Sequence, residues 1–257
     1  MNKNLLIRII VLLTLGVVYR PLCYAQKTYV VAVGLNEYDP KGNCGSLPCS
    51  VGDANAISQF FHQYNNSEVF LLKNDNATRE HILRVLKAQF AKSTSADEII
   101  FAYSGHGFDG GISTYDSNGN GYTNVIFCQE IQDILKSAKA RRKVMFINSC
   151  HSGSFAKKYK TDPLVKNFKP NKSNIMLYMS SRADELSWES YGMTTSFFFH
   201  RLIEGLKGAA DKNKDHKVTA RELFNYVNKL VPDDTGGVQH PQMYGRFSDD
   251  MVVVNVK

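Results

Sequence analysis

Apolar residues in this chain come in short unbroken runs separated by amphipathic stretches and polar turns. Thr28 to Gly34, Glu68 to Leu72, Ile99 to Tyr103, Val144 to Ile147 and Asn174 to Met179 show no apolar/polar alternation. That pattern predicts strands covered on both faces, as in a parallel sheet within an α/β layer fold. Asp53 to Phe61, Asn76 to Phe90 and Phe127 to Leu135 instead keep apolar positions three and four apart, the period of a helix with one buried face. Two more helices are predicted at Phe197 to Leu206 and Arg221 to Leu230. The stretch Val231 to Asp250 reads as turns, and Met251 to Val256 as a closing strand buried on both faces.

Two of the predicted strands end in chemistry. Ile99 to Tyr103 runs into Ser104-Gly105-His106-Gly107, and Val144 to Ile147 runs into Asn148-Ser149-Cys150. The helix between them makes a β-α-β unit, whose parallel strands deliver their carboxyl ends to one edge of the sheet. Adjacent strands lie about 4.8 Å apart, so His106 and Cys150 can meet there. A cysteine with a pKa of about 8.5 is mostly thiol at neutral pH, and an imidazole beside it can take its proton. Attack of the thiolate on a carbonyl builds charge on oxygen, which the backbone N–H groups of Gly107 and Cys150 can receive. The expected chemistry is amide hydrolysis through an acyl-enzyme.

Tyr103-Ser104-Gly105-His106-Gly107 and Asn148-Ser149-Cys150-His151-Ser152-Gly153 resemble the two signatures of the caspase and metacaspase peptidases, in the same order. The resemblance extends over most of residues 28 to 256, including Val51-Gly52-Asp53-Ala54 and Thr195-Ser196-Phe197-Phe198. It implies a caspase-like three-layer sandwich, with a mostly parallel central sheet of about six strands flanked by helices. It also implies a cysteine endopeptidase acting on protein or peptide substrates. In metacaspases the acid matching Asp53 lines the pocket for a basic P1 side chain, although Asp53 also reads as a helix N-terminal residue. Ser104 matches a pocket serine. Where metacaspases carry a second pocket aspartate this chain has Asn148, and Asp184 or Glu185 is the expected helper. Caspases hold an aspartate substrate with an arginine ahead of the Asp-Ala pair, but Cys44 to Asp53 contains no basic residue. Arg or Lys at P1 is therefore expected. Trp188 reads equally as a subsite wall and as a packing residue.

Charge and cysteines refine this reading. Met1 to Ala25 has Lys3 and Arg8, an apolar stretch Ile9 to Val18, and small residues near Ala25, as a secretory leader does, with an uncleaved anchor as the rival. The apolar stretch is too short for a membrane span. Residues 26–257 then form the peptidase domain, exported to the periplasm or the medium. The leader holds three basic residues and no acid, so the net charge of +7 falls to +4. So small a balance gives no support for nucleic-acid binding. Export makes a Cys44–Cys49 disulfide an even expectation, while Cys128 reads as a buried apolar residue.

Two further segments carry expectations. Phe155 to Lys172 is rich in lysine and lies between two strands. In the resembled family the matching segment is often cut, so self-processing is implied. Asp211, Asn213, Asp215, Lys217 and Glu222 fall at liganding positions of a twelve-residue calcium loop, but His216 stands where glycine is expected. A helix-capping turn is the simpler reading, and no cofactor is required by the expected chemistry. A silent peptide-binding protein with the same cleft, or a calcium-loop interaction module, are the rival classes.

Overall fold

The structure is a computed structural model and describes residues 26–42, 44–64, 66–108, 110–118, 123–150, 175–182, 185–189 and 192–256. The expected leader, the lysine-rich segment 155–172 and Asp184 lie outside the described residues. In chain order the elements are β1 (Thr28–Gly34), α1 (Ser50–Gln63), β2 (Ser67–Lys73), α2 (Arg79–Phe90), β3 (Glu98–Ser104) and three two-residue strands, β4 (Gly107–Phe108), β5 (Gly111–Ile112) and β6 (Ile126–Phe127). There follow α3 (Cys128–Ser137), β7 (Arg142–Asn148), β8 (Ile175–Met179), α4 (Phe197–Glu204), β9 (Lys217–Thr219), α5 (Ala220–Asp234), β10 (Gln242–Arg246) and β11 (Val252–Asn255).

The main sheet has six strands in the order β10-β8-β7-β3-β1-β2, all parallel except β10. The unbroken apolar runs of β1, β3, β7 and β8 are explained by its two covered faces, whereas β2, at the edge, is only partly covered and leaves Phe70 exposed, correcting its reading as a strand covered on both faces. Val31, Phe101, Met145 and Leu177 pack under α2 and α3, while Val30, Ile100, Val144 and Met176 pack under α1, α4 and α5. Successive residues of one strand thus enter opposite cores, which is the expected three-layer sandwich.

One reading of the tail needs correction. The sixth strand of the main sheet is β10, from the stretch read as turns, and it pairs antiparallel with β8. Its sequence, Gln-Met-Tyr-Gly-Arg, is too short and polar to signal a strand, and β8 supplies the order. Conversely β11 does not join the main sheet but pairs with β9 in a separate two-stranded sheet beneath α5. The stretch between Asp109 and Asn124, rich in Gly, Asn and Asp, contributes β5 to a small three-stranded sheet with β4 and β6. Helix α5 runs past Leu230 to Asp234, through Pro232.

Candidate active site

The register of β3 on β7 sets the site. Ser104 is paired with Asn148, and the Gly105 N–H continues the ladder to the Asn148 carbonyl at 3.1 Å. His106 and Cys150 each stand two residues beyond this shared rung, at the same edge of the sheet.

His106 is held from three sides. Its Nε2 lies 2.8 Å from the Gly45 carbonyl. A carbonyl only accepts, so Nε2 carries the proton and Nδ1 is the ring's acceptor. Its backbone N–H donates to the Tyr38 hydroxyl at 2.7 Å, and its carbonyl accepts from the Tyr103 hydroxyl at 2.7 Å. Burial pushes both phenols' pKa values up, keeping them neutral. The Tyr38 ring also flanks the imidazole, with centroids 5.0 Å apart.

Gly107 requires the absence of a side chain. A Cβ there would lie 2.6 Å from Ser149 Oγ and 2.7 Å from the Cys150 carbonyl. The Ser113 N–H bonds to the His106 carbonyl, which makes Gly107 and Ile112 the pair without mutual hydrogen bonds. The Gly107 N–H is therefore left out of that ladder. Cys150 itself is a half-buried free thiol.

Three expected pocket residues converge beneath this edge. Asp53 is fully buried and accepts from Ser104 Oγ at 2.7 Å, Asn148 Nδ2 at 3.0 Å, and the N–H and Oγ of Ser196 at 2.8 Å each. Burial raises its pKa to about 7; the bonds from Ser104 and Ser196 oppose the shift, and nearby Glu189 adds to it. Asp53 sits in the first turn of α1 but spends its carboxylate across the fold rather than on its own helix end. Asn148 Oδ1, also buried, has no hydrogen-bond partner. Of the two expected helpers, Asp184 lies outside the described residues and Glu185 is tied to His240 and Arg182. The acid that does join Asp53 is Glu189, which accepts from the Cys49 N–H and Ser50 Oγ at the start of α1. Burial raises its pKa as well.

Tyr38, Gly45, Glu189 and Ser196 were not legible as site residues. Each acts through a contact made across the fold, and only Ser196, before an apolar helix, carried a local signal as an N-cap, which it is for α4. Trp188 is 47% exposed. No disulfide joins Cys44 to Cys49, correcting that expectation: Cys49 is buried with its Sγ 3.4 Å from the Met193 carbonyl, and the Cys44 thiol faces the Gly42 carbonyl. Cys128 is buried, as its reading required.

The 211–222 loop lies apart from these residues and uses its acids on itself. Asp211 and Asn213 accept backbone N–H groups of Asp215 and His216, and Asp215 accepts from the Lys217 N–H. Glu222 forms a capping box with Thr219 at the start of α5 and accepts the Lys212 N–H. Lys214 and His216 take φ values of 60° and 63°. Among the described residues no group of three or more His, Cys, Asp or Glu side chains is disposed to hold a metal ion.

Residues 27–252 match the family described as the caspase domain, peptidase family C14. A search of curated proteins found no match. The crystal structure of protein GSU0716 from Geobacter sulfurreducens superposes with a TM-score of 0.64 at 19% identity, over 87% of this chain and 95% of that one. At that identity the likeness shows a shared fold.

Proposed function

The chain belongs to the caspase-domain family of peptidases, and on that premise we propose that it is an exported cysteine endopeptidase with Cys150 as nucleophile and His106 as general base and acid. The observation that carries the reading is the common rung of β3 and β7, which sends both residues to one edge while the Gly45 carbonyl fixes the imidazole tautomer.

With Nε2 protonated, His106 Nδ1 takes the thiol proton and the thiolate adds to the scissile carbonyl. Charge on the carbonyl oxygen is received by the Gly107 and Cys150 N–H groups. As the intermediate collapses, the C–N bond breaks and the imidazolium returns its proton to the leaving amine. Water then attacks the thioester with His106 taking its proton, releasing the carboxylic acid and restoring the thiol. No cofactor enters these steps.

A basic P1 side chain is the favoured substrate. Asp53 and Glu189 offer carboxylates and Asn148 Oδ1 an unused acceptor, a set that demands donors and rejects an aspartate. The lysines of residues 155–172 are then a candidate self-cleavage segment. Export follows the leader reading, and among the described residues no helix is long and apolar enough to cross a membrane.

The test is labelling of the protein from Gln26 onward by a peptidyl electrophile, followed by a fluorogenic peptide scan at P1. Labelling that disappears in Cys150→Ala, with hydrolysis after Arg or Lys, is expected. Labelling without turnover of any peptide would leave a peptide-binding protein instead. A preference for Asp would overturn the pocket assignment.

A further inference from the structure

A chain of hydroxyls reaches the peptide group that precedes Cys150. Ser187 Oγ lies 2.9 Å from the Ser149 carbonyl, and Ser180 Oγ lies 2.5 Å from Ser187 Oγ. Because the carbonyl only accepts, Ser187 must donate to it, and Ser180 must donate to Ser187. The direction of the whole relay is thereby fixed, and each bond polarises the next.

The Ser149 carbonyl and the Cys150 N–H belong to the same planar peptide unit and point in opposite directions. Holding the oxygen on one side aims the N–H on the other. Withdrawal of electron density at the oxygen also strengthens the N–H as a donor. We propose that Ser187, relaying from Ser180, is a positioning residue that orients the Ser149–Cys150 peptide so that its N–H meets the oxyanion. The inference rests on the peptidase reading above and deepens it.

The surroundings hold Ser187 for this task. Buried Gln239 donates to the Ser180 carbonyl at 2.9 Å and accepts from the Trp188 N–H at 2.9 Å, bracketing Ser187 between its two partners. The Glu185 carboxylate is fixed by the N–H and Nδ1 of His240 at 2.9 and 2.8 Å. The segment from Glu185 to Glu189 is thus tied down at both ends, because Glu189 accepts from the Cys49 N–H and Ser50 Oγ at the start of α1. Ser181 Oγ, 3.5 Å from the same Ser149 carbonyl and 3.3 Å from the Glu185 carbonyl, is a weaker second donor. Gly107 packs against the Ser149 side chain and the Cys150 carbonyl, next to this peptide.

The experiment compares wild type, Ser187→Ala and Ser187→Thr on a fluorogenic peptide with the preferred P1 residue. Ser187→Ala is expected to lower kcat about 10-fold with KM unchanged, less than deletion of an oxyanion donor itself. Affinity for a peptide aldehyde, whose adduct places its oxygen where the oxyanion forms, should weaken in proportion. The rate of Cys150 alkylation by iodoacetamide should not move, because thiol and imidazole are untouched. Ser187→Thr, which keeps the hydroxyl, should restore kcat. An unchanged kcat in Ser187→Ala would overturn this inference alone, and so would a parallel fall in alkylation, which places the effect on the thiol. If the wild type hydrolyses no peptide in the scan, the peptidase reading fails and this one with it.

Discussion

Asp53 is where the chemistry of a single side chain sets the specificity. Its pKa of about 7 means that a cationic P1 group must draw the carboxylate into its ionised form on binding. Whatever alters the chemical step alters it for both substrates, so the informative quantity is the ratio of kcat/KM for an Arg peptide to that for its Gln counterpart. That ratio should rise with pH through about 7 and become flat in Asp53→Asn, with a loss of about 100-fold for the Arg peptide at pH 8. Gly107 is the second residue whose identity decides the outcome. A Cβ at 2.6–2.7 Å from Ser149 Oγ and the Cys150 carbonyl must displace one of them. Gly107→Ala should lower kcat by at least about 10-fold while far-UV circular dichroism stays unchanged. At this scale His106 and Cys150 could be picked out because each sits at a strand exit, whereas Asp53 and Ser104 were implied as pocket residues by the resemblance to metacaspases. Glu189 could not, since its value lies in reaching the α1 N-terminus from the other end of the chain.

Elements meet at the site through their ends. Helix α1 begins at Ser50 with Cys49 as an N-cap that offers no side-chain bond; Asn36 Oδ1 takes the Val51 N–H instead, and Glu189 accepts from the Cys49 N–H and Ser50 Oγ at the same end. Two residues later Gly52 lies so close to the segment before α4 that a Cβ would meet the Thr194 carbonyl at 1.7 Å. Gly52→Ala should therefore destabilise the protein by about 1–3 kcal/mol, read by urea unfolding, and loosen the joint between α1 and α4 that carries Asp53 and Ser196. The 211–222 loop behaves as a capping turn. Its carboxylates already hold backbone N–H groups, so isothermal titration with millimolar calcium should give no saturable heat, whereas Glu222→Ala should cost about 1 kcal/mol of stability. The calcium pattern was visible because liganding and capping favour the same residues at the same spacing, and the sequence alone could not separate them. Strand β10 was missed for a related reason: five residues with one glycine at φ 133° have no strand signature of their own until β8 offers its edge.

For the whole molecule, the acids that burial has pushed up oppose those that partners have pulled down. Asp53 and Glu98 are both raised to about 7, chiefly by desolvation, with Arg142 only partly offsetting the shift at Glu98 from 3.5 Å. Between about pH 4 and 7 the folded chain keeps protons on these groups that the unfolded chain has lost. Their stabilisation is thus full at low pH and lost as pH rises through about 7, by roughly 3–4 kcal/mol each. Glu68, Asp97, Glu204 and Asp234 are lowered, Asp97 by hydrogen bonds that outweigh its desolvation and the others first by bonded lysine or arginine, so their contribution is lost at the acid end. Unfolding free energy should peak near pH 5 and decline towards pH 8, and Asp53→Asn should remove about half of that decline. Activity on basic substrates runs the other way, so the ionised carboxylate that binds substrate is also the one that strains the fold.

The amino-acid sequence by itself determined the layer architecture and the edge at which the chemistry sits, because runs without alternation are stable only when both faces are covered, and parallel strands release their ends together. It also put a thiol and an imidazole at neighbouring exits. Only the tertiary structure decided which carbonyl fixes the imidazole, which acid joins Asp53, where Cys44 and Cys49 sit and which tail strand completes the sheet. Those choices depend on contacts between residues far apart in the chain, and local periodicity carries no record of them.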